Sequence, residues 1–316
     1  MNKNKMHYAF AALLLPCSML HAMEALDDQS LASATGQNGL NIGIAVNKIA
    51  VDQIALIDTD GMSTPVLGQN VSKKAALVMA GNSNAPVNVS FLGNSSGETL
   101  HSVIDVDGGN GKPMANIGLG FNNQVTGLKI SPFAVYLAGE NSIATLGNSK
   151  SIFASSNTLN TGVSKFMQVG SDSNNFEIRF QDGHSPQMNV QLGNVPQSQM
   201  LQFSGAIQSI CGTGTGCPIA FISGNTSAQF DFQATATDAS QGFLLNGFYA
   251  GVDSTGVVIA NTGTSSKLNM ALNNMTFGNA GNTATTTFNG LTNGSMGSFG
   301  AIGASVKDLK VHISGL

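Results

Sequence analysis

This sequence predicts an all-β fold, an elongated stack of short strands that is either sandwich-like or a β-solenoid, and three observations carry that expectation. Apolar residues recur at every second position, as at Leu40, Ile42, Ile44 and Val46 with Asn41, Gly43, Ala45 and Asn47 between them. That is the period of a half-buried strand. Several such runs end in an Asp-Gly pair, and both residues accept the positive φ of tight turns. Beyond Ala34 no segment sustains a 3.6-residue period, so the only helix expected is a turn or two just after the leader.

Residues 1–22 read as a secretory signal peptide. Lys3 and Lys5 give the positive start, Ala9 to Leu15 the short apolar core, and Leu20-His21-Ala22 a cleavage site ending on a small residue. The apolar run is far short of the ~20 residues that span a membrane. Pro16 stands where acylation of Cys17 would want a small residue, which argues against a lipid anchor. Residues 23–39 form a short acidic segment in which Asp27 and Asp28 precede Leu31 and an Ala-rich stretch closed by Thr35-Gly36. Acidic residues at the start and Gly at the end suit a brief helix.

The run M-x-A-L-D-D-x-x-L-x-x-x-T-G-Q-x-G-L, from Met23 to Leu40, follows the signal directly. It resembles the opening of FilA-type proteins, pilus- or filament-associated surface proteins of Gram-negative bacteria. The resemblance covers about 20 residues, and over the rest of the chain only a Gly/Asn/Ser/Thr-rich style is shared. It implies export to the cell surface, outer membrane or pilus, with other pilus or surface-assembly subunits and the export machinery as partners. It carries over no catalytic residues.

Residues 40–316 form an all-β body in which no clear linker stands out. After Leu40 a second strand runs from Ile49 to Ile57 into Asp58-Thr59-Asp60-Gly61, and the cadence returns at Val103 to Gly108 and at Phe176 to Gly183. Further strands are expected at Ala75–Met79, Pro86–Leu92, Gly127–Leu137, Met188–Leu192, Ile219–Ser223, Ala228–Thr235, Gly256–Ala260, Leu268–Phe277 and Thr283–Phe288. Lys307 to Ile313 closes the chain as an edge strand carrying its own charges. An apolar-Gly-Asn signature at Leu92, Leu146, Leu192 and Phe277, with Gly-to-Gly spacings of 54, 46 and 85 residues, hints at a degenerate repeat of about 45 residues.

Charged residues make up only 9% of the chain, against roughly 25% in an average soluble domain, so amides and hydroxyls must solvate the surface. With 42% hydrophobic residues there is enough apolar surface to offset the entropy of ordering. A net charge of -4 with no dense basic run after the leader leaves nothing to grip a phosphate backbone, which excludes nucleic acid as a partner. Once Cys17 leaves with the leader, Cys211 and Cys217 remain, separated by Gly212-Thr213-Gly214-Thr215-Gly216. In an oxidising compartment they are expected to close a small disulfide loop, since no His or second Cys pair lies nearby to complete a metal site.

Sequence patterns that carry chemistry are sparse. Asp58-Thr59-Asp60-Gly61 and Asp105-Val106-Asp107-Gly108 place carboxylates at i, i+2, as a calcium loop does, but Gln69 and Asn116 stand where the helix-loop-helix site wants Glu. Turns are the expectation. Gly93-Asn94-Ser95-Ser96-Gly97 matches G-x-S-x-G, yet a strand and not a helix follows, which predicts a hairpin turn. His101, His184 and His312 are widely spaced, and neither Gly212–Gly216 nor Gly108–Pro113 has the hydroxyl-bearing anchor of a phosphate loop.

The function expected is therefore that of an exported noncatalytic protein, structural or adhesive, with neither cofactor nor metal. It would work through β-surface contacts with filament subunits or with a host or abiotic surface. Two other classes stand beside it: a secreted or periplasmic hydrolase whose Ser, His and Asp meet only in the fold, and an outer-membrane barrel. Against the barrel stand 6% aromatics and the absence of Trp.

Overall fold

The computed structural model describes residues 39–62, 68–69, 72–93, 97–108, 113–139, 151–193, 199–279, 287–288, 291–292 and 294–314. The expected signal peptide, Cys17 and the expected helix lie outside them. The described residues are all-β, with 24 strands and no helix. They fall into an eight-stranded sheet, a 14-stranded sheet and one two-stranded hairpin.

The chain lays these strands down in passes. The first runs through β1 (Leu40–Ile44), β2 (Lys48–Val51) and β3 (Gln53–Asp58), and the second returns through β4 (Ala75–Gly81), β5 (Val87–Leu92) and β6 (Leu100–Asp107). The third comprises β7 (Met114–Phe121), β8 (Gly127–Ile130) and β9 (Phe133–Gly139), and the fourth β10 (Val163–Val169), β11 (Phe176–Phe180) and β12 (Gln187–Gly193). The fifth takes β13 (Leu201–Ser204), β14 (Ala206–Ile210) and β15 (Cys217–Ser223), and the sixth β16 (Thr226–Ala236), β17 (Phe243–Leu244) and β18 (Phe248–Asp253). The seventh is β19 (Gly256–Asn261) and β20 (Leu268–Asn279). A small hairpin, β21 (Thr287–Phe288) and β22 (Leu291–Thr292), precedes the last pass, β23 (Gly294–Ala304) and β24 (Lys310–Ile313).

Pairing follows this order without a crossover. Three antiparallel ladders result: β1-β6-β7-β12-β13-β18-β19-β24, then β2-β5-β8-β11-β14-β17, then β3-β4-β9-β10-β15-β16-β20-β23. Each pass visits the ladders in one direction and its successor visits them in reverse. The second and third ladders merge into the 14-stranded sheet where Ser209 and Ile210 of β14 pair with Thr235 and Ala234 of β16. They also meet in sequence, because only Asp52 separates β2 from β3, the two ends of that sheet's path. The sheet is thereby nearly closed on itself.

The expected strand from Ile49 to Ile57 is therefore two strands in different ladders, and so is Gly127 to Leu137, broken at Ser131-Pro132. Proline has no N–H to give a ladder. The spacing repeat also needs correction: Leu92 ends β5 in the second ladder, Leu192 lies at the end of β12 in the first, and Phe277 near the end of β20 in the third. Leu146 lies outside the described residues. What recurs is the pass, which has no fixed length.

Packing is densest where side chains are small. Ala76, Val78 and Ala80 of β4 lie against Ala134, Tyr136 and Ala138 of β9, and Ile152 and Phe153 cover them. The Tyr136 ring meets Phe153 edge-on at 5.7 Å, and its hydroxyl donates to the Gly81 carbonyl at 2.7 Å. Where the first and second ladders meet, Phe121 contacts Phe180 at 4.8 Å and Phe91 at 6.3 Å.

Buried corners between ladders are closed by uncharged polar side chains, while exposed ones also use the Asp238 and Asp308 carboxylates. Thr99, buried before β6, accepts from the Val46 N–H at 2.9 Å and donates to the Ile44 carbonyl at 3.1 Å. Asn261 accepts from the Leu309 N–H and donates to the Gly263 carbonyl, both at 2.8 Å. Backbone groups at such bends have no ladder partner, and a side-chain amide or hydroxyl satisfies them without burying charge.

Candidate functional site

The motifs weighed in the sequence resolve into turns and corners. The Asp58 carboxylate accepts from the N–H groups of Gly61 at 2.8 Å and Asp60 at 3.2 Å. The Gly61 bond leads those that hold its pKa below the ordinary carboxylate value. Asp105 accepts from the Val106 N–H at 2.9 Å. Among the described residues no group of three His, Cys, Asp or Glu side chains gathers to hold a metal ion. The turn expected at Asp105 to Gly108 is corrected: Asp105, Val106 and Asp107 are the last residues of β6, and Asn116 on β7 is the direct cross-strand partner of Asp105, where it supplies an amide in place of a third carboxylate. Gly93 and Gly97 lie between β5 and β6, which belong to different ladders. That segment is a corner and not the hairpin its pattern suggests; its Asn94, Ser95 and Ser96 lie outside the described residues, as does most of Gly108–Pro113.

Cys211 and Cys217 are both buried and joined by a disulfide, with Cα atoms 5.3 Å apart. The bridge spans the corner from β14 to β15, with Gly212–Gly216 as its loop. The three histidines sit in separate settings: His101 on β6, His184 between β11 and β12, and His312 on β24. His312 Nε2 lies 2.8 Å from Thr255 Oγ1 and 3.6 Å from Asp253 Oδ1, while the Thr255 hydroxyl donates to that same carboxylate at 2.6 Å. A hydrolytic triad needs the acid on the far ring nitrogen. Here acid and hydroxyl face one nitrogen, and the cluster fastens edge strand β24 to the β18–β19 turn.

Two features of the first ladder stand out. The first is the state of its edges: among the described residues β1 pairs only with β6, and β24 only with β19. Both present one unpaired side, and all their residues are exposed. The third ladder likewise ends at β3 and β23. An apolar row crosses the whole eight-stranded sheet by direct register: Leu40, Ile104, Ile117, Val190, Leu201, Ala250, Ile259 and Val311.

The second feature lies on the opposite face. On β7, Asn116, Gly118 and Gly120 alternate with Ala115, Ile117, Leu119 and Phe121, so two consecutive positions of the polar face carry no side chain. His101 and Val103 on one neighbouring strand, with Gln187 and Asn189 on the other, rise beside that bare strip. Gln202 and Tyr249 continue the row from Asn189. The result is a groove of about 530 Å³. A Cβ on Gly120 would come within 2.7 Å of the His101 ring, so this glycine is what allows the imidazole to lie across the floor. The sequence offered only the Gly118 and Gly120 spacing as a signal, and a Gly-rich β7 did not read as a strand at all.

Residues 1–107 match a model of a family of unknown function, DUF6160. That range takes in residues 1–38 and the first two passes, ending on the last residue of β6. No curated protein matches the chain. No solved structure matches it.

Proposed function

We propose that this chain is an exported, noncatalytic component of a surface filament or adhesive assembly, joined to its neighbours through strand edges. The observation that carries this reading is the parity of the passes. There are eight, so the last runs in the reverse sense and the first in the forward sense. A second copy translated along the stack would lay its β1 and β3 antiparallel beside β24 and β23 of the first. Each ladder would then continue as it runs inside one molecule.

Such head-to-tail contacts are heterologous and do not close, which is how filaments arise. Soluble stacks normally blunt their ends with caps, charges or proline. Here β23 reads Gly294-Ser295-Met296-Gly297-Ser298-Phe299-Gly300-Ala301-Ile302-Gly303-Ala304, without a charge or a proline, and Ile302 is 89% exposed. The signal peptide and the resemblance of Met23 to Leu40 support the surface location. Electron microscopy of the purified chain, with protease shaving of intact cells, tests both parts. Elongated particles, shortened by Ile42→Lys with Ile302→Lys, are expected. Monomers at every concentration, or a chain cut only after the outer membrane is opened, would overturn the proposal.

A further inference from the structure

We infer that the groove over β7 is a binding site for a neutral oligosaccharide. Its chemistry is that of amides with nothing to bond. The side chains of Gln187, Asn189, Gln202 and Tyr249 form no hydrogen bond to any described residue, whereas the corner amides and hydroxyls of this chain are engaged. A primary amide offers a donor pair and an acceptor side by side, which matches the vicinal hydroxyls of a sugar.

Charge selects the ligand class. Among the described residues no Asp, Glu, Lys or Arg lines the groove, so an anionic or cationic ligand would give up hydration without a carboxylate, ammonium or guanidinium partner, while a polyol exchanges one set of neutral hydrogen bonds for another. The bare Gly118 floor supplies depth, and the Tyr249 ring supplies a flat apolar face with a polar tip for the C–H face of a pyranose. Because the walls are on neighbouring strands of one ladder, the site is held by hydrogen-bonded sheet and is already formed in the free protein.

This inference gives the adhesive part of the proposed function a ligand and rests on that part alone; it does not need the filament. The test is calorimetric titration with malto-, cello-, chito- and mannohexaose, with a heparin hexasaccharide as the charged comparison. Tyrosine emission gives a second readout, because the chain has no Trp and Tyr136 is buried while Tyr249 lines the groove. At least one neutral hexasaccharide is expected to bind and to change that emission.

Gly118→Val fills the floor. A Cβ there meets only Val103, at 3.7 Å or more, and valine suits a strand, so the fold persists. It should weaken binding by at least about tenfold, as should Asn189→Ala with Gln202→Ala. No binding by any neutral probe, binding untouched by Gly118→Val, or binding of heparin alone would overturn the assignment. Running the same titration on the Ile42→Lys, Ile302→Lys chain separates this outcome from failure of the assembly proposal, since those positions lie on other strands.

Discussion

Tyr136 shows how much one side chain holds in a fold built on small residues. Its ring fills the space that the alanines of β4 and β9 leave, and its hydroxyl satisfies the Gly81 carbonyl. Burial pushes its pKa from 10.0 up to about 12. The native state therefore keeps a proton that the unfolded chain releases, so stability is full below pH 10 and drains as pH rises toward 12. Tyr136→Phe should cost about 1–3 kcal/mol at neutral pH by stranding the carbonyl while abolishing the phenol's share of the alkaline loss. Urea unfolding at pH 7 and pH 11 measures both. The turn carboxylates act at the other end of the scale: Asp58, Asp238 and Asp253 are held below their ordinary pKa by bonds led by the Gly61 N–H, the Ser240 hydroxyl and the Thr255 hydroxyl respectively. Their contribution is present above the ordinary carboxylate pKa and is lost as pH falls through the lower native values. Thermal unfolding should hold steady down to about pH 4 and weaken below it, less so when all three are replaced by asparagine.

At the scale of elements, the disulfide restrains the corner from β14 to β15. Replacing Cys211 and Cys217 by serine should lower stability by about 2 kcal/mol, the loop-entropy value for so short a ring, and reduction of the native chain should do the same. Chemical unfolding with and without reductant reads this directly. The pair was legible in the sequence because Cys211 and Cys217 lie six residues apart around a Gly-rich loop, while Cys17 falls in the segment expected to be a leader. Alternation also located β1, β4, β16 and β24 as strands, but the half-buried β1 and the inward Val311 and Ile313 of β24 need correction, because both strands are edges whose residues are all exposed. It failed at corners, where the chain leaves one ladder for another while its period of two runs on, as across Asp52. It failed again in β7 and β23, where glycines take positions that side chains of alternating character would fill, so that the segments look like loop. Pro132 was the one corner a reader could have caught, since proline cannot serve within a ladder. The groove was hidden for a related reason, as its floor is made of absent side chains and its walls come from strands far apart in sequence.

At the scale of the whole molecule, the three ladders explain why so little charge is tolerated. Among the described residues each pass but the first and the last lies between two others, with β17 alone of their strands bonded on one side, so backbone polar groups inside the stack are met chiefly by ladder pairing, and unpaired strand edges collect at the ends. Charges placed there should matter most, and Ile42→Lys with Ile302→Lys should abolish association while leaving far-ultraviolet circular dichroism unchanged. The decisive measurement is a cross-link at the proposed junction. Leu40 and Val311 close the two ends of the row that crosses the eight-stranded sheet, so in a head-to-tail pair they fall opposite each other. With Cys17 replaced by serine, oxidation of a Leu40→Cys, Val311→Cys chain should give a ladder of covalent multimers on a non-reducing gel, and an equal mixture of the two single variants should give heterodimers. Monomers alone, or homodimers of either single variant in place of the mixed pair, would contradict the account.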